Sequence, residues 1–74
     1  MDVRTRVGLN VQRARRERGL SQEELAHRAA VHQTYLSGVE RGTRNPTIVV
    51  LDRIARALDL DPADLLRRRN GERS

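Results

Sequence analysis

The 74-residue sequence contains no cysteine, no lysine, no phenylalanine and no tryptophan, and it has a single tyrosine. The absence of cysteine excludes a disulfide framework, a thiolate metal site and a thiol nucleophile. No apolar run approaches the roughly 18 residues of a membrane span, and the N-terminal residues lack the apolar segment of a signal peptide. These absences predict a cytoplasmic protein with no membrane segment.

The apolar residues that are present suffice for one small core. They make up 36% of the sequence, and most are leucine, valine and alanine. A folded chain of this size buries only about 60% of the surface that the extended chain exposes. Because small aliphatic side chains suit short helices in close contact, we predict a single small helical domain.

Charge is the more informative part of the composition. The 15 basic residues, all arginine, outnumber 10 acidic residues and give a net charge of +5. A positive field favours anionic partners such as nucleic acid. Arginine suits bidentate recognition of phosphates and base edges, although a GC-biased genome is the simpler explanation for its exclusive use.

Turn and cap signals divide the chain into five segments with helical periodicity, and no strand pattern competes with them. The clearest apolar stripe follows the spacing i, i+3, i+4, i+7: Leu51, Ile54, Ala55 and Leu58. Ser21 with Glu24 three residues later has the pattern of a capping box, and Asp61 precedes Pro62 at the start of the last segment. The helices are predicted over residues 6–18, 22–29, 33–41, 47–58 and 62–68.

The fold class that follows is all-α, a compact five-helix bundle over residues 6–67. Residues 1–5 and 68–74 carry no apolar residues at a usable period. We therefore expect a flexible N-terminal arm and a flexible basic tail at the two ends.

The second and third predicted helices are joined by only a few residues, so they must cross steeply. Ala26 and Ala30 are small enough for the backbones to approach each other there. The outer face of the third helix carries small or uncharged groups: Gln33, Thr34, Ser37 and Gly38. A plain bundle could use the same apolar pattern, but an uncharged hydrogen-bonding face favours a helix that enters the DNA major groove.

The sequence resembles helix-turn-helix regulators of the phage-repressor and Cro type, the Xre family, in three segments. These are GLSQEELA at residues 19–26, TYLSGVERG at 34–42 and RNP at 44–46. The segments occur in the family's order and spacing, and the match covers about residues 7–66. The resemblance implies a lambda-repressor-like bundle of five helices that binds operator DNA, usually as a two-fold dimer, with the third helix as recognition helix.

The resemblance assigns base-contacting positions to Gln33, Thr34 and Gly38. Gln33 can pair with N6 and N7 of adenine, and Thr34 offers a hydroxyl group and a methyl group for thymine. Gly38 has no side chain for this purpose, so either Ser37 takes its place or DNA shape supplies the specificity. The alternative for Gln33 and Thr34 is that they are merely favourable residues early in a helix.

The resemblance also places four residues on DNA phosphates: Gln22, Thr43, Arg44 and Asn45. The hydroxyl group of Tyr35 is a further candidate for a phosphate contact. Such contacts set the register of the protein on DNA without reading its sequence. Arg44 is the strongest of these candidates. The alternative for Gln22 is a capping role, and packing against the core is the favoured role for Tyr35. Asn45 could equally be a turn residue before Pro46.

Glu40 is paired with Arg15 by the same resemblance. A carboxylate on a DNA-facing helix would repel phosphate unless it were turned away and paired, so we predict a structural ion pair. Two residues depart from the family pattern. Ala30 replaces a common glycine, where a left-handed alanine costs about 1 kcal/mol, and His32 replaces a capping serine or threonine.

No catalytic or metal-binding constellation is visible in the sequence. His27 and His32 are five residues apart and separated by a turn, so they do not form a metal-binding pair. There is no glycine-rich phosphate loop. We therefore predict no enzymatic activity, no metal and no cofactor.

The apolar residues exceed what one small core requires, so some are expected in a homodimer interface: Val49, Val50, Leu60, Leu65 and Leu66. The alternative is that the fifth helix only closes the bundle. Two-fold pairing would place two recognition helices about 34 Å apart, one turn of DNA, and therefore predicts an inverted-repeat operator.

The function predicted from these observations is a bacterial sequence-specific transcriptional regulator that binds double-stranded DNA. The alternative is a protein-interaction module, such as an antitoxin-type domain, whose protein partner is unknown. Attachment of the basic first helix to a membrane surface is disfavoured because that helix has a narrow apolar stripe and no bulky aromatic residue. The resemblance does not choose among phage-type repressors, controllers of restriction-modification genes and antitoxins.

Overall fold

The computed structural model describes residues 1–68 and contains five helices: α1 (Val3–Glu17), α2 (Gln22–Ala29), α3 (Gln33–Arg41), α4 (Ile48–Ala57) and α5 (Pro62–Leu66). No strand occurs in this part of the chain. α1 packs against α3 and α5, α2 packs against α3 and α4, and α4 packs against α5. The predicted all-α fold with five helices is therefore confirmed.

Aliphatic side chains from all five helices form one core. The largest fully buried side chains are those of Val11, Leu25, Leu36, Val39, Ile54, Leu58 and Leu65. Leu65, which was predicted for the dimer interface, is only 1% exposed. That prediction is wrong, because the short helix α5 turns Leu65 towards α1 and α4 and leaves Leu66 outside.

α1 begins at Val3, three residues before the predicted start at residue 6. Asp2 caps it, since its Oδ1 accepts a hydrogen bond from the N–H of Arg4 at 2.7 Å. A capping carboxylate satisfies a backbone donor that the first helical turn would otherwise leave unpaired. The predicted flexible arm over residues 1–5 is therefore wrong for residues 3–5, which are helical.

α5 ends at Leu66, two residues before the predicted end at residue 68. Asn10 of α1 donates hydrogen bonds from its Nδ2 to the carbonyl oxygens of Leu65, at 2.9 Å, and Arg67, at 2.8 Å. Because these carbonyl groups already have a donor, the chain can leave the helix here. Of the predicted basic tail over 68–74, all but residue 68 lies outside the described residues.

The start of α2 is fixed by the predicted capping box. The N–H of Glu24 donates to Oγ of Ser21 at 3.0 Å, and the N–H of Ser21 donates to Oε1 of Glu24 at 2.9 Å. The hydrogen bond from the Ser21 backbone is the main cause that lowers the pKa of Glu24. Local chemistry therefore determines where α2 begins and where its first residue, Gln22, stands.

The turn between α2 and α3 contains a left-handed alanine. Ala30 has φ of 58° and ψ of 46°. Arg53 of α4 donates hydrogen bonds to the carbonyl oxygens of Ala29, at 3.0 Å, and Ala30. The turn is therefore held by a side chain from another helix as well as by its own residues.

Replacing Ala30 by glycine is expected to raise the free energy of unfolding by about 1 kcal/mol, because glycine adopts the left-handed conformation without a steric cost. The matched control is Ala29→Gly, one residue earlier and helical, which is expected to lower that free energy by about 1 kcal/mol or more. Urea denaturation of the three proteins measures both values. Destabilisation by both substitutions would contradict the role given to Ala30.

Candidate nucleic-acid interface

α2 and α3 form a tight two-helix unit joined by residues 30–32. The inner faces of both helices are buried in the core, at Leu25, Ala26, Ala29, Leu36 and Val39. The N-terminal part of α3 lies outside this core, and the side chains of Gln33 and Thr34 are exposed. The second helix of the unit therefore projects an uncharged edge into solvent.

The remaining outer residues of α3 have neighbours within the helix. Ser37 is half-buried, and its Oγ accepts a hydrogen bond from Nη1 of Arg41 at 2.9 Å. His32 stands at the N-cap of α3 and its side chain makes no capping hydrogen bond. The uncharged edge therefore ends at a hydroxyl group that is linked to a guanidinium group.

Gly38, predicted at a base-contacting position, is buried rather than open. The N–H and the hydroxyl group of Thr43 both donate to its carbonyl oxygen, at 2.9 and 3.1 Å. A Cβ atom at residue 38 would lie 2.6 Å from Cγ of Arg44. The missing side chain thus makes room for Arg44, whose Cζ lies 5.8 Å from the centre of the half-buried Tyr35 ring.

The predicted pair of Arg15 and Glu40 links α1 to α3 inside the protein. Nε of Arg15 lies 2.7 Å from Oε2 of Glu40, and Nη2 lies 3.0 Å from Oε1. The remaining nitrogen, Nη1, donates to the carbonyl oxygen of Leu20 at 2.9 Å. The hydrogen bonds to Glu40 raise the pKa of Arg15, so the buried guanidinium group keeps its charge.

The predicted phosphate-binding residues lie on two sides of α3. Gln22, at the start of α2, is half-buried and donates from its Nε2 to Oε1 of Glu40 at 3.0 Å. Thr43, Arg44 and Asn45 are exposed in the segment after α3. Gly42, which begins that segment, packs against the first turn of α1. A Cβ atom at this position would lie 3.0 Å from Oγ1 of Thr5.

Two residues that hold the ends of helices were not predicted from the sequence. Arg53 holds the carbonyl groups at the end of α2, and Asn10 holds those at the end of α5. The available signal was weak: Asn10 is a polar residue between Val7 and Val11, both on the inner face of α1. An inward polar side chain of this kind requires a partner.

A second surface of the molecule is apolar. Ile48 and Val49, at the start of α4, are 82% and 64% exposed, and Leu66 is also exposed. Val50 and Leu60 are half-buried and pack against the core. Of the predicted dimer residues, Val49 and Leu66 are therefore the most accessible, and Ile48 joins them.

Two other kinds of site are absent from the part of the chain that the structure describes. Residues 1–68 contain no group of three or more histidine, cysteine, aspartate or glutamate side chains that could hold a metal ion. Among the helices of those residues, none has the length and apolar character needed to cross a bilayer.

Comparison with known proteins agrees with the geometry. The helix-turn-helix model of the HTH_3 family matches residues 11–65. The chain is 48% identical over 66 residues to the uncharacterized HTH-type transcriptional regulator y4dJ of Sinorhizobium fredii, covering 89% of this chain and 86% of that protein. It is 39% identical over 66 residues to the control protein C.BamHI of Bacillus amyloliquefaciens, covering 88% and 82%. The crystal structure of the restriction-modification controller protein C.AhdI from Aeromonas hydrophila matches with a TM-score of 0.82 and 39% identity, over 84% of this chain and 94% of that one.

A tight pair of helices whose second member projects from the core is the arrangement of a helix-turn-helix DNA-binding domain. The chain belongs to the Cro/C1-type helix-turn-helix family, the Xre family, as the sequence resemblance predicted. It is a DNA-binding transcriptional regulator of that family.

Proposed function

We propose that this chain binds an inverted-repeat operator in the cytoplasm as a homodimer, with α3 of each subunit in the major groove. The observation that carries the proposal is the exposed, uncharged edge formed by Gln33 and Thr34. The major groove of B-DNA is about 12 Å wide and admits an α-helix. The uncharged donors and acceptors of this edge can form directional hydrogen bonds with the donors and acceptors of the bases.

Base recognition is assigned to the N-terminal half of α3. Gln33 donates to N7 and accepts from N6 of adenine, and Thr34 contacts thymine or a neighbouring base through its hydroxyl and methyl groups. Gly38 is covered by Arg44, so Ser37 is the next residue along the edge that can reach a base. Its hydroxyl group is already oriented by Arg41.

Phosphate contacts are assigned to both sides of that edge. Gln22 lies at the N-terminus of α2, where the helix dipole also favours an anion. On the other side, Arg44 is held against α3 between Gly38 and the Tyr35 ring. Thr43 and Asn45 flank it in the same exposed segment. Contacts on both sides would fix the angle at which α3 enters the groove.

The dimer is assigned to the apolar surface around Val49 and Leu66. A two-fold interface uses the same patch on both subunits, so a single interface covers the exposed apolar residues of both. Large exposed apolar patches on small soluble proteins commonly mark such interfaces. Two subunits joined there would read two half-sites about one helical turn apart.

The genes under control are proposed from the relatives. Two of the similar proteins are named as a control protein and a restriction-modification controller protein. We therefore propose that this chain controls a restriction-modification gene pair. Repression requires only that the bound dimer occupy an operator that overlaps a promoter.

The test is selection of bound sequences from a random pool of DNA duplexes. The parent protein is expected to enrich an inverted repeat, and binding should weaken steeply as salt concentration rises. Enrichment of no sequence at any salt concentration would contradict the proposal and would favour the protein-interaction alternative.

Gln33→Ala is expected to relax the preference at one position of each half-site by about 1–3 kcal/mol, because one bidentate contact is lost. The same selection, repeated with this variant, measures the change. Glu23→Ala, on the exposed face of α2, is the control and should leave the base preferences unchanged. Unchanged preferences with Gln33→Ala would remove this residue from the base contacts.

Val49→Asp is expected to shift the protein from dimer to monomer, because two-fold symmetry would bring two buried carboxylates together at the interface. Sedimentation velocity at high micromolar concentration measures the species present. Gln33→Asp, which adds the same charge on the exposed edge of α3, is the matched control and should remain dimeric. If the parent protein sediments only as a monomer, the dimer proposal is wrong and α5 serves only to close the bundle.

A further inference from the structure

The buried carboxylate of Glu40 has partners on both sides of it. Oε2 accepts a hydrogen bond from Nε of Arg15, and Oε1 accepts one from Nη2 of Arg15 and one from Nε2 of Gln22, both at 3.0 Å. The Glu40 side chain is 1% exposed, whereas Gln22 is half-buried at the protein surface. Glu40 therefore joins the interior of the protein to a proposed phosphate-binding side chain.

This contact determines the orientation of the Gln22 carboxamide group. A carboxylate can only accept hydrogen bonds, so the NH₂ group of Gln22 faces Glu40 and its carbonyl oxygen does not. One N–H bond of the NH₂ group is directed at Oε1 of Glu40. The two N–H bonds of a planar amide diverge, so the second is directed away from the carboxylate and can donate to another acceptor.

Arg15 neutralises the negative charge of Glu40. An unpaired carboxylate beside DNA would repel phosphate, but two hydrogen bonds join Glu40 to the guanidinium group of Arg15. The pair is neutral as a whole. Glu40 can therefore accept a hydrogen bond from Gln22 without placing a net negative charge at the DNA surface.

We propose that Glu40 is a positioning residue for DNA binding: it holds the Gln22 carboxamide with its second N–H directed at an operator phosphate. The inference rests on the proposed function, which assigns Gln22 to a phosphate. Glu40 lies on α3 and Gln22 on α2. A residue of α3 therefore orients the side chain with which α2 contacts the phosphate. The angle between the two helices then affects the phosphate contact directly.

The test uses a substitution that leaves the net charge unchanged. Arg15→Met/Glu40→Leu removes one charge of each sign and the acceptor for Gln22, so Coulomb attraction to DNA alone predicts no change in affinity. The positioning role predicts that this double variant binds the selected operator as weakly as Gln22→Ala does. A lost hydrogen bond to a charged group corresponds to a weakening of about tenfold to one-hundredfold.

The dissociation constants are measured by fluorescence anisotropy at a temperature where circular dichroism shows every variant to be folded. The triple variant, which adds Gln22→Ala to the double, should bind no more weakly than the double. In the control background Gln33→Ala, the double substitution should still have its full effect. A double variant that binds like the parent, or a triple variant whose loss is the product of the separate losses, overturns the proposal.

A second measurement needs no substitution in the core. Nitrogen-15 relaxation of the side-chain amides in the parent protein should show the NH₂ group of Gln22 as ordered before DNA is added, and that of the exposed Gln33 as mobile. Equal mobility of the two groups also overturns the proposal. Failure of the proposed function is distinguishable, because the parent would then select no DNA sequence, whereas failure of this inference leaves that selection intact.

Discussion

Replacing Glu40 by alanine is expected to lower the free energy of unfolding by about 3–5 kcal/mol, because the Arg15 guanidinium group would stay buried without its counter-ion. The two side chains are joined by two hydrogen bonds and are almost fully withdrawn from solvent. Arg15 cannot avoid the cost by losing its proton, since arginine stays charged in proteins. The expected loss is comparable with the whole stability of a domain of this size, about 4–11 kcal/mol.

Urea denaturation followed by circular dichroism measures this loss. The matched control is Asp52→Ala, because Asp52 forms a single ion pair with Arg56 at 3.0 Å but the side chains are 41% and 79% exposed. Its removal should change the free energy of unfolding by no more than about 1 kcal/mol. The double replacement Arg15→Met/Glu40→Leu should recover most of the loss, since it leaves no unpaired charge. A Glu40→Ala protein within about half a kcal/mol of the parent would contradict the structural role of the pair.

The helices of the DNA-binding unit were predictable because their signals are local. Ser21 and Glu24 form a capping box within four residues, and the spacing of Leu51, Ile54 and Leu58 identifies the buried face of α4. Such signals depend on helical periodicity and on contacts within one turn. They need no knowledge of the tertiary structure.

The supporting contacts of Arg53 and Asn10 were not predictable for a physical reason. Arg53 binds a carbonyl group 24 residues away, and Asn10 binds one 55 residues away. Their acceptors are backbone carbonyl groups, which every residue carries. The sequence therefore contains no complementary residue that would identify the partner.

The orientation of a short helix about its own axis is a further feature that the sequence does not determine. Leu65 and Leu66 are adjacent in a helix of five residues, and only packing against α1 and α4 decides which of them is buried. The same limit applies to Gly38, since the sequence shows the missing side chain but not that Arg44 fills the space. The candidate site was thus predictable as a surface, but its atomic contacts depend on the folded structure.

Gly8→Ala is expected to lower the free energy of unfolding by about 3 kcal/mol, even though alanine is the better helix former by about 1 kcal/mol. Gly8 lies in the middle of α1, where it crosses α3. A Cβ atom there would stand 2.4 Å from the carbonyl oxygen of Val39 and 2.6 Å from that of Glu40. Both oxygens belong to the α3 backbone, so no side-chain rotation can relieve the contact and α1 must withdraw from α3.

Gly38→Ala provides the matched control because it places the same methyl group in a helix against a movable neighbour. The new Cβ would meet Cγ of Arg44, 2.6 Å away, which can rotate aside. Thermal denaturation should therefore show little change for Gly38→Ala and a fall in Tm of roughly 10–25 °C for Gly8→Ala. DNA affinity should fall for the folded Gly38→Ala protein, since Arg44 is displaced from α3. Equal Tm values for the two variants would contradict the close contact between the α1 and α3 backbones at Gly8.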